Sequence, residues 1–283
     1  MVRGLLLLSL MAGSALAAPA GLDQATRLYR QTSYEASLKL LIALPEKDAA
    51  VFDLMGRNYF MLGEFKKASE VYEQAVAADP TNSDYENWLG KAYGKRAETA
   101  SPFTAPGLAS KARQHFEKAV ALDSRNQEAV SDLFEYYLQA PGILGGGLDK
   151  ASKMAEHIAD LDPAEGFWAQ ARIAERRKDY GKAEEHLRRA MEAAPTHVGL
   201  VVDLAKFLSK RGRTEESEQA FRAAEQIAPN SPRLLYSRAE TYIKAGRNLG
   251  AARDLLKRYL SATLSPDDPS RLDAEKLLKQ TGG

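Results

Sequence analysis

Apolar and polar positions along the chain fall into stretches of about a dozen residues with the spacing of amphipathic helices. The stretches come in pairs, from about Leu22 to Leu260. Small residues (Gly56, Gly90, Ala68, Ala112, Ala183) stand where two helices must approach closely. Large ones (Tyr59, Tyr93, Tyr72, Phe116, Leu187, Phe221) stand where the space beside them must be filled. Pro80, Pro163, Pro195 and Pro229 follow the second helix of a pair, where a missing N–H and a fixed φ stop it continuing. Gly63, Gly212 and Gly246 fall between paired helices, where a left-handed residue is often needed. One such hairpin cannot bury its apolar face alone, but stacked copies can.

The stretches also repeat. Met55, Gly56 and Tyr59 recur 34 residues later as Leu89, Gly90 and Tyr93. Ala183, Leu187, Ala190 and Pro195 recur at the same interval as Ser217, Phe221, Ala224 and Pro229. Six units follow in frame, at about 49–82, 83–126, 127–163, 164–197, 198–231 and 232–262. Residues 18–48 read as a degenerate N-terminal helix pair, with Tyr34 and Leu41 at its second-helix positions. Residues 263–283 read as a capping helix and tail, with Asp268 as N-cap and Pro269 at the first helical position. Leu272, Leu277 and Leu278 would face the last repeat. The period, with aromatic-x2-Leu-Gly-x2-Tyr, then Ala-x3-Phe, then Pro, resembles the tetratricopeptide repeat (TPR) family. That resemblance implies an all-α fold: a right-handed α-solenoid of stacked antiparallel helix pairs, a TPR superhelix, with a C-terminal capping helix.

Two units exceed the period. Tyr59 to Ala68 spans nine residues, whereas Tyr93 to Ala112 spans nineteen and Tyr137 to Ala151 fourteen. The extra residues lie around Ser101–Pro106 and Gly142–Gly147. Both fall between first and second helix of consecutive units, so they are expected to meet on one edge. Such insertions are either functional or tolerated, since added loop length costs little entropy. Phe103, Ile143 and Leu144 are apolar and are expected to be covered by one another, by the solenoid edge or by a partner.

Arg3 is the one charge among the first twenty residues, and Leu5 to Ala12 is an almost unbroken apolar run. With Ala15-Leu16-Ala17 after it, this reads as a secretory signal peptide over residues 1–17. The run is too short for a spanning helix. An exported, periplasmic or secreted protein without a membrane span is expected. Its 39 basic and 38 acidic residues give a net charge of +1, and Arg3 is the surplus. That balance speaks against nucleic-acid binding, which needs a basic excess on one face. The absence of cysteine excludes disulfides, thiolate metal sites and cysteine nucleophiles. Gly142 and Gly147 have the spacing of a phosphate loop, but Leu148 and Asp149 stand where lysine and Ser/Thr belong. His115, His157, His186 and His197 are too dispersed for a zinc site. Glu184-Glu185 and Glu215-Glu216 lie among arginines and lysines, as on solvated helix faces. No catalytic, metal or cofactor site is expected, and no enzymatic activity.

In the TPR family the first helices of successive repeats line a concave groove that holds peptides or partner helices. Carried over by repeat position, the resemblance implies groove residues Asp53, Arg57 and Phe60, then Asn87 and Lys91, then Ser131 and Glu135. It continues with Trp168, Arg172 and Glu175, then Val202 and Lys206, then Tyr236 and Glu240. Phe167 already fills the aromatic slot of its unit, and one helical step of about 100° turns Trp168 to another surface, the groove. Trp88, beside Leu89-Gly90, is expected in core or inter-repeat packing. Chaperone-binding members of the family carry a lysine and an asparagine where this chain has Asp53 and Arg57, which puts that ligand class in doubt. The mixture of cationic donors with aromatics suits a binding surface. The expected function is a non-enzymatic scaffold or adaptor of the cell envelope, with a protein partner of unknown identity. The alternative is a carbohydrate or cell-wall binding module that stacks sugar rings on Trp168, Tyr236 and Phe60.

Overall fold

A computed structural model describes residues 20–282, and the signal-peptide assignment to residues 1–17 lies outside them. Among the described residues there are fifteen α-helices, one 3-10 turn and no strand. They run as antiparallel pairs: α1 (Ala20–Arg30) with α2 (Tyr34–Ala43), α3 (Ala49–Met61) with α4 (Phe65–Ala78), and α5 (Ser83–Thr99) with α6 (Ala105–Leu122). The series continues with α7 (Gln127–Gln139) and α8 (Leu148–Leu161), α9 (Pro163–Arg176) and α10 (Tyr180–Ala193), and α11 (Val198–Lys210) and α12 (Thr214–Ile227). Then come α13 (Pro232–Lys244) and α14 (Leu249–Ser261), and α15 (Arg271–Gln280) packs on that last pair. Among the described residues no helix is long and apolar enough to cross a membrane.

Local chemistry sets where the helices begin and end. Most first helices start at a polar cap: Asp48 accepts from the Val51 N–H, Asn82 from Asp84 and Tyr85, Asn126 from Ala129, Asp162 from Ala164 and Glu165, and Ser231 from Leu234. A cap of this kind stabilises by about 1 kcal/mol. Within the pairs, five turns share one geometry. After α3, the Glu64 N–H reaches the Tyr59 carbonyl at 2.9 Å and the Gly63 N–H reaches that of Phe60, with Gly63 at φ 75°. This is the Schellman arrangement, which satisfies orphan helix carbonyls around a left-handed residue. The same bonds recur around Gly212 and Gly246, and around Thr32 (φ 57°) and Lys178 (φ 62°), two side-chain-bearing residues that the glycine pattern did not reveal.

Packing follows the alternation of small and large residues. A Cβ on Gly56 would stand 2.5 Å from the Tyr72 ring, and one on Gly90 2.7 Å from the Phe116 ring. Ala68, Ala112 and Ala183 are buried, as are Tyr72, Phe116, Leu187 and Phe221. The sequence did not reveal Gly166, where a Cβ would meet the Ala159 backbone of α8 at 2.5 Å. Buried side chains run from pair to pair without a single centre; Val130 and Phe134 of α7, for example, join Ala155 and Ile158 of α8 and Ala169 of α9.

Three expectations need correction. The capping helix begins at Arg271 with Ser270 as its N-cap; Asp268 instead accepts from the Ser265 N–H and hydroxyl, which makes a turn before the helix. Leu272 is half exposed, and Ala274 is the buried contact on α15. The insertion around Ser101–Pro106 is less a loop than a lengthening: α5 has 17 residues and α6 has 18, against 13 and 14 in α3 and α4. Four extra residues at about 1.5 Å each raise the hairpin tip by about 6 Å. Phe103 at that tip is 96% exposed and Ile143 93% exposed, so neither is covered by this chain. Leu144 is partly buried, and its carbonyl accepts from the Tyr136 hydroxyl at 2.9 Å.

The two described ends of the chain face each other. A cavity of about 320 Å3 is walled on one side by Thr32, Tyr34, Met61 and Leu62, and on the other by Leu264, Ser265 and Arg271. Burial, above all, pushes the Tyr34 hydroxyl up, with Tyr29 and, across the seam, Asp268 adding to it.

Candidate functional site

First helices of neighbouring pairs touch one another (α1–α3, α3–α5, α5–α7, α7–α9, α11–α13), whereas neighbouring second helices stand farther apart. The first helices therefore occupy the inside of the curve. Polar and aromatic groups cross each of their junctions from α3 onward. Between α3 and α5, the Arg57 guanidinium, held by Asp53 at 2.9 Å, lies over the Trp88 ring at 4.7 Å. Phe60 meets the same ring edge-on at 5.3 Å, and Lys91 stands over it at 4.3 Å. Between α5 and α7, Asn87 Nδ2 donates to Asp132 Oδ2 at 2.9 Å, and Lys91 reaches Glu128 at 2.5 Å. Between α7 and α9, Arg172 donates to Glu135 at 3.1 Å. Between α9 and α11, Trp168 Nε1 donates to Asp203 at 2.9 Å, and Lys210 lies 3.6 Å from Glu175. Between α11 and α13, Lys206 lies 3.8 Å from Glu240.

These inner carboxylates sit in a partly dehydrated surface. Burial pushes Asp203 above the usual carboxylate range, against the pull of Lys206 and the Trp168 N–H. Burial likewise raises Asp53 against Arg57, and Asp132 against Lys91 and Asn87. Desolvation penalises the charged form, and these partners return only part of that cost.

A cavity of about 590 Å3 opens on the inner face of the last three pairs, within the range of pockets that hold ligands. Trp168, Arg172, Glu175, Lys206 and Glu240 line it, together with Asp203, Lys210, Lys244 and Arg247. Arg247 Nη2 donates to Ser209, while its Nη1 is buried with no partner among the described residues. Among the described residues no group of His, Cys, Asp or Glu is arranged to hold a metal ion.

Two stretches of the sequence match known repeat patterns. Residues 56–96 match the family described as TPR repeat, and residues 174–234 the family described as tetratricopeptide repeat. These two stretches carry the tetratricopeptide pattern. Solved TPR structures share the chain's fold. A tetratricopeptide repeat protein from Parabacteroides merdae is 15% identical, with a TM-score of 0.59 over 93% of this chain and 98% of that one. A thermophilic TPR protein of Thermus thermophilus is 22% identical, with a TM-score of 0.54 over 66% of this chain and 97% of that one. Among curated proteins no sequence matches.

Within this TPR solenoid, the residues that the sequence assigned to the groove divide by role. Trp168, Arg172, Glu175, Lys206 and Glu240 are brought together around the large cavity. Asp53, Arg57, Phe60 and Lys91 form a second group around Trp88, and Asn87 is tied to Asp132 of the next first helix. Glu135 serves as the partner of Arg172. Tyr236 packs on Tyr259 at 5.4 Å, which takes it toward the last pair's core. Val202 is buried in the core, and the neighbouring Asp203 takes the inward polar role. Asp132, Asp203, Lys210, Lys244 and Arg247 were missed. Asp132 and Asp203 each stand one residue after the position that the period singled out, and the three cations sit at or beyond the ends of first helices.

Proposed function

We propose that this TPR solenoid is a non-catalytic scaffold that binds a segment of a partner protein along its inner face. The observation that carries this is the cavity of about 590 Å3, where Trp168 lies among Arg172, Lys206, Lys210 and Lys244. An aromatic anchor beside cationic donors is the composition of an interface hot spot. The signal-peptide pattern over residues 1–17 supports a place in the cell envelope, reached after export. The sugar-binding alternative has less support, because Phe60 packs against Phe65 and Trp88, and Tyr236 against Tyr259.

The test is affinity capture from an envelope extract with the intact protein and with a Lys206→Ala, Lys210→Ala variant. Each lysine lies beyond 3.5 Å from its carboxylate, so the fold should lose little by their removal. Enrichment of one protein by the wild type, reduced at least about tenfold by the variant at equal thermal stability, supports the groove reading. Equal capture by both removes the cavity from the argument. Retention on polysaccharide that survives protease treatment of the extract turns the assignment to carbohydrate.

A further inference from the structure

The turns inside the helix pairs form one continuous edge of the solenoid. The Arg113 side chain of α6 crowds against Gly145 of the next turn. Arg176 donates to the Leu138 carbonyl at 3.3 Å, the Arg211 guanidinium lies 3.9 Å over the Tyr180 ring, and Arg247 donates to Ser209 at 3.0 Å. Each contact ties a turn to its predecessor.

Two further properties mark this edge. Phe103 and Ile143 project almost fully into solvent, at 96% and 93%, while the other exposed large apolar side chains among the described residues reach 54% at most. Along the same series of turns, Lys150, Arg176, Arg177, Lys178 and Arg211 are exposed, and among the described residues none is ion-paired. The unpaired acids at the same turns are Asp149 and Glu215. A chain with nearly balanced charge thus carries a cationic excess on the edge that bears the two most exposed large apolar side chains among the described residues.

We propose that this edge docks on the surface of an anionic lipid bilayer. Phe103 and Ile143 enter the headgroup–acyl boundary, and the cations face lipid phosphates. Apolar insertion with electrostatic attraction is how surface-bound proteins hold anionic membranes. The arrangement suits lipid better than a protein partner. A protein interface needs anchors clustered in a desolvated centre, whereas these two wedges stand on separate turns, next to Pro102 and Gly142, and a bilayer accepts them singly. The inference is independent of the groove, since neither Phe103 and Ile143 nor these exposed cations line its cavity.

The test exploits the absence of cysteine. Phe103→Cys, and separately Thr196→Cys on the opposite edge, are labelled in the full chain with a polarity-sensitive fluorophore. Each is mixed with vesicles of phosphatidylcholine, with or without phosphatidylglycerol. The expected result is a blue shift at position 103 with the anionic vesicles only, none at position 196, and reversal by salt. The apolar N-terminal run is common to both labelled proteins, and its insertion would not depend on anionic lipid. Arg177→Glu with Lys178→Glu should weaken vesicle binding by at least about fivefold per residue. No shift at position 103 with either vesicle, or equal shifts at both positions, overturns the proposal. So does a shift produced by soluble polyglutamate but not by vesicles, which assigns the edge to an acidic protein.

Discussion

Thr32 and Lys178 do in this structure what Gly63, Gly212 and Gly246 do in the other three Schellman turns. A left-handed backbone costs a side-chain-bearing residue about 1–2 kcal/mol, and branching at Cβ makes Thr32 the more strained. Thr32→Gly is therefore expected to stabilise the protein by roughly 0.5–1 kcal/mol after the extra unfolded-state entropy of glycine. A rise in the urea midpoint would show it. Gly166→Ala should act in the opposite direction, by about 1–3 kcal/mol. The better helix propensity of alanine, worth about 1 kcal/mol, does not offset a clash with the Ala159 backbone, which cannot rotate aside as a side chain can. A midpoint unchanged or raised would contradict that close approach. Gly56 and Gly90 were legible in the sequence because their large partners, Tyr72 and Phe116, recur with them. Gly166 was not, because its partner is backbone. Only Asp162 separates α8 from α9, and so short a connection forces the two helices together.

At the level of the helices, the inner face is stitched by the same kinds of residue that would receive a ligand. Two sets of carboxylates respond to acid with opposite signs. Asp203 has its pKa raised by burial, so its stabilising contribution is present below the unfolded value and is lost as pH rises through the folded one. Asp203→Asn should consequently stabilise relative to the wild type near neutrality and lose that advantage in acid, as read by denaturation at two pH values. A constant difference between the two proteins would contradict the dehydrated site. Glu86, buried between α5 and α6, behaves otherwise. Burial alone would raise it, but hydrogen bonds from His115 (2.6 Å) and Lys118 (2.5 Å) outweigh that and lower it. Its contribution is held above the unfolded value and lost as pH falls through the folded one. The period revealed which helices face inward, but not always which of two neighbours does. A step of about 100° leaves adjacent residues both near the groove, and packing against the next helix sent Val202 to the core and Asp203 to the groove.

For the whole molecule, the sequence predicted paired helices and their stacking, because each pair repeats the same small-against-large contacts. It did not reveal that the inserted residues lengthen α5 and α6, since their helical extension depends on mutual support between the two added turns. Nor did it reveal the meeting of the ends, which is the sum of small rotations between successive pairs. That meeting has a consequence for how the protein can change. An open array can gain or lose a unit and merely grow or shrink, because each unit answers only to its neighbours. Here a unit added or removed would also carry Leu264 and Arg271 away from Thr32 and Met61 and do away with the cavity they share.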